Sequence, residues 1–249
     1  MKQKFEQLIK KKYIPRYHLL SRNVQKIIYS LDLEDIDFTG KNVLDIGCGA
    51  GLYSIYLALI KNASKIVAVD EYLGHGNVAS NKELFLDVVN NYGLKEKISI
   101  VQGDIFNLTF QDNSFDVVML NDVMHHLYIT NEDISELTQI PDSVFNLIKK
   151  YGLWLKPNGI VIIHEVKRRN ILEILPRYFN RANIDFTTKQ NPDGWTNLFE
   201  HAGFCLQDVK YYVSYKLKLY TPFLYKLLSA GFLSYFLRGR YRLIFGKRG

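Results

Sequence analysis

Short apolar runs rich in Val and Ile recur through the chain at residues 42–47 (NVLDIG), 65–70 (KIVAVD), 98–104 (ISIVQGD), 115–122 (FDVVMLND) and 159–166 (GIVIIHEV). Their hydrophobicity is continuous rather than alternating, which suits parallel strands covered on both faces. Helical periodicity fills the intervals at residues 51–61, about 77–91 and about 133–150. The alternation predicts right-handed βαβ crossovers and a doubly wound, mainly parallel α/β sheet. FCLQDVKYYVSYKL (204–217) and RYRLIFGKR (240–248) alternate more and would be the last two strands. Two helical stretches, roughly 3–11 and 21–31, precede the first strand, the second with Ser21 as its N-cap.

Composition adds limits. A chain of 249 residues that is 47% hydrophobic can bury one sizeable core, and no repeat, low-complexity tract or long linker marks a second domain. Cys48 and Cys205 form neither a disulfide framework nor a metal-ligand cluster, which predicts a reducing cytoplasm and no metal. The charged start lacks the apolar core of an export signal. Charge is unevenly spread: residues 1–30 carry eight Lys/Arg and one acid, residues 210–249 carry nine Lys/Arg and none, and the total is only +7. Such basic ends suit either an anionic partner or a solvated face.

The stretch VLDIGCGAGLYSIYLALI (43–60) places Gly47, Gly49 and Gly51 between a strand and a helix. Glycines in a βα turn permit left-handed backbone and let the chain approach a ligand closely. A dinucleotide fingerprint would read GxGxxG, whereas here Leu52 fills the third position. The following strands then end in Asp70 and Glu71 for the second, Asp104 and Ile105 for the third, and Asn121 and Asp122 for the fourth, polar side chains apart from Ile105, which offers a backbone amide. A carboxylate twenty or so residues past the bend can take both hydroxyls of a ribose, and parallel strand ends open on one edge.

VLDIGCGAG, VDEY, GDIF and FDVVMLNDVMHHL, followed by LKPNGIVIIHEV, resemble the class I S-adenosylmethionine-dependent methyltransferases over residues 40–166, with DGWTNLFEHAGF (193–204) as the helix before strand six. The resemblance implies a seven-stranded sheet with an antiparallel last strand. It also implies S-adenosyl-L-methionine as cofactor and S-adenosyl-L-homocysteine as product. It places Asp45, Gly47, Gly49 and Gly51 around the methionine part and Asp70 at the ribose, with Glu71, on the loop that follows, among the cofactor-binding residues. Asp104 and Ile105 fall at the adenine, and Asn121 beside the sulfonium. Residues 1–249 then form a single domain: a helical cap (1–38), a Rossmann-like core (39–215 and 239–249), and insertions at 167–190 and 218–238. The loop EYLGHGNVASN, with His75, departs from the family's usual quick entry into the next helix.

Methyl transfer needs in-line alignment of an acceptor atom, and a base where that atom carries a proton. Candidates are His125 or His126 after strand four, and His164 or Glu165 at the end of strand five, adjacent residues that point to opposite faces. His125 and Glu165 are the preferred pair. An Asn/Asp-Pro-Pro-aromatic run is absent and neither cysteine is well placed, which argues against base methylation. The segment 221–237 is apolar but short of a membrane span, and Lys216, Lys218, Arg238, Arg240 and Arg242 bracket it. An apolar lid with a basic collar suits a small or amphiphilic anionic acceptor, lipid- or glycan-linked, methylated at oxygen or nitrogen, with contact to the inner membrane surface. The alternatives are an RNA methyltransferase and a non-catalytic cofactor-binding module.

Overall fold

The computed structural model describes residues 2–13, 32–73, 81–130, 133–134, 140–168, 188–213 and 238–248. Helix α1 (Lys2–Leu8) runs into a π-turn at Ile9–Tyr13, and then come β1 (Asn42–Ile46), α2 (Leu52–Leu59), β2 (Lys65–Asp70), α3 (Asn81–Asn91) and β3 (Ile98–Gln102). They are followed by β4 (Phe115–Asn121), a short α4 (Met124–Leu127), α5 (Asp142–Trp154), β5 (Leu155–Val166), α6 (Pro192–His201), β6 (Phe204–Val213) and β7 (Arg238–Lys247). The strands form one seven-stranded sheet in the order β3-β2-β1-β4-β5-β7-β6. β1, β2 and β3 are parallel, while β7 is antiparallel to both neighbours, β5 and β6. This is the α/β class that the apolar runs predict.

Two compact units divide the chain, residues 1–109 with 115–117, and residues 110–114 with 118–249. In the first, α2 buries Ser54 through Leu59 almost all round, as a helix sandwiched between a sheet and other helices must. α1 packs on it, with Phe5 meeting the Tyr56 ring edge-on at 5.7 Å. In the second, α5 buries Val144, Leu147, Ile148, Tyr151 and Trp154, the three- and four-residue spacing of one helix face. Each such fully buried side chain is worth roughly 1.5–3 kcal/mol. α6 opens with Pro192 at its first turn, where a missing N–H costs nothing, and Phe199 stacks on Phe245 of β7 at 4.6 Å.

Several boundaries differ from expectation. α5 starts at Asp142 rather than near 133 because Pro141 is its N-cap, and it continues to Trp154 because the apolar period does. β5 starts at Leu155, ahead of the Pro-Asn-Gly turn; Asn158 takes a left-handed φ of 65° and the strand resumes. The helix predicted from about 77 is described from Asn81. The second N-terminal helix (21–31), the His75 loop, most of 167–190, the 218–237 part of the later insertion and residues 214–217 of strand six lie outside the described residues. Among the described residues, no helix is long and apolar enough to cross a membrane.

Candidate functional site

In the first unit the apolar strand β1 breaks into a bend in which Gly47, Gly49 and Gly51 all take left-handed φ, 67°, 51° and 73°. A side chain would be strained at each. Gly51 caps α2, and a Cβ there would lie 2.2 Å from the Phe85 ring, so α3 closes against the bend only because that position is bare. A Cβ on Gly49, by contrast, would meet nothing within 4 Å: open space lies beside the bend.

Asp70 ends β2 and ties this bend to its own loop. Its Oδ2 accepts the Gly49 N–H at 2.8 Å and its Oδ1 accepts the Tyr72 N–H at 2.8 Å. Each carboxylate oxygen keeps a lone pair for a further donor. The Glu71 carbonyl is fixed by Gln102 Nε2 at 3.0 Å, and Gln102 in turn accepts from Lys82. At the end of β3, Asp104 folds back on its own loop, accepting the Phe106 N–H at 2.9 Å and Asn107 Nδ2 at 2.8 Å. The Ile105 side chain is buried, so only its backbone can face a ligand.

Asp45 sits beneath the bend, fully buried, and accepts the Ser54 hydroxyl at 2.6 Å. Burial pushes its carboxyl up to about 7; the Ser54 hydrogen bond opposes this and the Asp70 charge adds to it. The sign for stability follows. A carboxyl whose proton affinity is raised by folding contributes stability below its unfolded pKa of about 4, and that contribution is lost as pH climbs through about 7. Asp45→Asn removes the titration, so the wild type should lose more stability than the variant between pH 5 and pH 8.5. Each tenfold in proton affinity is worth about 1.4 kcal/mol, which bounds the gap at a few kcal/mol. Denaturant melts at the two pH values check this; equal losses in both proteins would show that Asp45 does not titrate there.

In the second unit the chemistry gathers where β4 and β5 end. His125, on α4, directs Nδ1 at both oxygens of Glu165, 2.9 and 3.1 Å, and its backbone N–H reaches Oε1 at 3.4 Å. Glu165 is 1% exposed and His125 6%. No hydrogen bond from a described residue engages His125 Nε2. The His126 ring lies 4.0 Å away, centroid to centroid. On the opposite face of β5, His164 Nδ1 meets Asn121 Oδ1 at 2.7 Å, leaving Asn121 Nδ2 buried and without a partner among the described residues. Asp122 takes a φ of 55°, its N–H donates to the His164 carbonyl at 2.9 Å, and its Oδ2 accepts Arg240 at 2.6 Å.

Charge distinguishes the two histidines. Glu165 lies opposite Tyr241 across the β5–β7 ladder, whereas His164 lies opposite Arg242. Arg242 is 1% exposed and bonds Asp208 at 3.1 Å, so it leaves the basic collar in which the sequence placed it: a buried guanidinium requires a partner, and β6 supplies one. His125 therefore has a carboxylate for a neighbour and His164 a fixed cation. Tyr241, its phenol pushed well up by burial and the Glu165 charge, donates to the Gln190 carbonyl at 3.0 Å.

Residues 44–163 match the family described as Methyltransferase domain. That match, just under half of the chain, bears out the resemblance to the class I S-adenosylmethionine-dependent methyltransferases. It is 31% identical over 138 residues to the mitochondrial ubiquinone biosynthesis O-methyltransferase of Schizosaccharomyces pombe, covering 55% of this chain and 42% of that protein. It is 29% identical over 128 residues to the sterol 24-C-methyltransferase ERG6B of Gibberella zeae, covering 51% and 28%. An S-adenosylmethionine-dependent methyltransferase structure from Mesorhizobium loti shares the fold, with a TM-score of 0.56 at 17% identity over 90% of this chain and 98% of that one. The chain spans less than two thirds of the length of the curated relatives it matches.

The cofactor of this methyltransferase family is S-adenosylmethionine, and the residues present fit it. Within the first unit the bend offers open space at Gly49, and Asp70 keeps acceptor capacity after binding two backbone amides. Among the described residues no cluster could hold a metal ion. Tyr13 and Tyr72 were not picked out as site residues by their positions in the sequence, and the pairing of Asp122 with Arg240 was not foreseen, because nothing local marks a side chain whose partner is distant in the chain.

Proposed function

We propose that the chain transfers a methyl group from S-adenosylmethionine to a small or lipid-linked acceptor, at oxygen or nitrogen, with His125 as general base. The observation that carries the base assignment is the buried His125–Glu165 pair. The carboxylate holds Nδ1–H, so Nε2 is the basic nitrogen, and it can balance the charge that proton uptake creates. The cofactor supplies an activated methyl. Asp45, Gly47, Gly49 and Gly51 would hold its amino acid half, Asp70 and Glu71 the ribose, Asp104 and Ile105 the adenine, and Asn121 the end nearest the acceptor. Paired with Asn121 and set against Arg242, His164 is a positioning group rather than a second base.

The acceptor class draws support from the relatives, which are named for sterol methylation and ubiquinone biosynthesis. Arg240, half-exposed and held by Asp122 beside the β4 end, suits an acceptor with an anionic group and contact with an acidic membrane surface. Incubating the protein with methyl-labelled cofactor and cell fractions tests this. Label in lipid or small-molecule extracts supports the reading; label confined to RNA, or cofactor binding with no transfer, overturns it. Asp70→Ala should weaken S-adenosylhomocysteine binding at least about tenfold, since a lost charged hydrogen bond costs roughly 1.5–3 kcal/mol. Unchanged calorimetric affinity would remove Asp70 from the ribose site.

A further inference from the structure

Three successive residues of the glycine bend are held from three directions. The Tyr72 hydroxyl lies 3.4 Å from Cys48 Sγ, Asp70 takes the Gly49 N–H at 2.8 Å, and the Tyr13 hydroxyl donates to the Ala50 carbonyl at 2.6 Å. The first two holds come from β2 and the residues just after it. The third comes from the N-terminal segment, far away in sequence.

That segment is fastened to the first unit along its length. Phe5 packs on Tyr56, Lys4 donates to the Tyr92 carbonyl, and Lys12 pairs with Asp87 at 2.6 Å. At the π-turn Ile9–Tyr13, Ile9 and Tyr13 turn inward while Lys10 and Lys11 stay in solvent, which delivers the Tyr13 ring, 1% exposed, to the bend. Single π-turns of this kind are frequent at functional sites.

The Ala50 carbonyl and the Gly51 N–H belong to one rigid peptide plane. Tyr13 grips the carbonyl side, and the Gly51 N–H donates to the Cys48 carbonyl at 2.8 Å on the other. Without the tyrosine hydroxyl this peptide loses one of its two anchors, and a glycine-rich bend regains part of its rotational freedom, which a ligand would have to remove on binding. We propose that Tyr13 is a positioning residue for the amino acid half of the cofactor, pre-organising the bend from outside the sheet. The inference rests on the reading that this bend receives S-adenosylmethionine.

Two ligands separate this from a general structural role. S-adenosylhomocysteine carries the amino acid tail; 5′-methylthioadenosine keeps the nucleoside and lacks the tail. Tyr13→Phe should weaken the first roughly three- to tenfold by calorimetry, the scale of one lost hydrogen bond, and leave the second within twofold. Phe5→Leu, which loosens α1 without touching the hydrogen bond, should lower the melting temperature without that selectivity. Equal weakening of both ligands by Tyr13→Phe, or of neither, overturns the proposal while the parent protein still binds S-adenosylhomocysteine. Failure of the parent to bind S-adenosylhomocysteine overturns the cofactor reading and this inference with it.

Discussion

Replacing His125 with alanine should cut methyl-transfer turnover by roughly 10²- to 10⁴-fold, the usual contribution of a positioned base, and leave S-adenosylhomocysteine affinity unchanged. The second half of that statement matters as much as the first. His125 bonds to Glu165, while the candidate cofactor contacts are tied elsewhere, Asp70 to the Gly49 N–H and Asn121 to His164. Glu165→Gln should slow turnover by at least about tenfold, because the amide no longer dictates which imidazole nitrogen carries the proton. The double variant should be no slower than His125→Ala alone, since the carboxylate acts through the ring and has nothing to act on once the ring is gone. Single-turnover rates with a labelled acceptor fraction measure all three. Additive losses would show that Glu165 and His125 work separately, and full activity in His125→Ala would remove the base from the mechanism.

The second large effect concerns the bend itself. Gly51→Ala should destabilise the protein by about 2–5 kcal/mol, combining a left-handed backbone penalty of about 1–2 kcal/mol with overpacking of about 1–3 kcal/mol. That is a large share of the 5–15 kcal/mol by which domains are generally stable. The overpacking arises because the new Cβ would sit 2.2–2.4 Å from three atoms of the Phe85 ring. Combining it with Phe85→Ala should therefore cost less than the sum of the two single changes. Gly49→Ala makes the contrast. Its Cβ enters open space, so denaturant melts should register only the backbone penalty while cofactor binding suffers. If the two glycine variants unfold alike, the Phe85 contact is not what constrains Gly51.

Strand positions were legible because each parallel strand is covered on both faces and so shows as an unbroken apolar run; β1, β2 and β4 fall within a residue or two of expectation. The bend was legible because left-handed backbone selects glycine strongly. Alternation along β5 correctly sent His164 and Glu165 to opposite faces, but it could not show that each has a partner of its own, Asn121 in one case and His125 in the other. Those partners lie some forty residues away, and spacing carries no signal at that range. Arg242 was misjudged for a related reason. Composition records a charge near other charges, whereas burial against Asp208 depends on which strand comes to lie beside β7. Tyr13 sits in a lysine-rich segment that reads as a solvated face, and only the π-turn shows that its ring faces inward.

The place of β7 bears on how the polypeptide acquires its shape during synthesis. This last strand lies between β5 and β6, so β6 emerges from the ribosome before its neighbour exists. Until residues 238–247 arrive and insert antiparallel, β5 and β6 each present an unsatisfied backbone edge, the kind of surface that recruits other chains into aggregates. The step that completes the sheet is also the one that seats Tyr241 opposite Glu165 and Arg240 beside Asp122, so nascent chains assemble the candidate site only after residues 238–247 have been made.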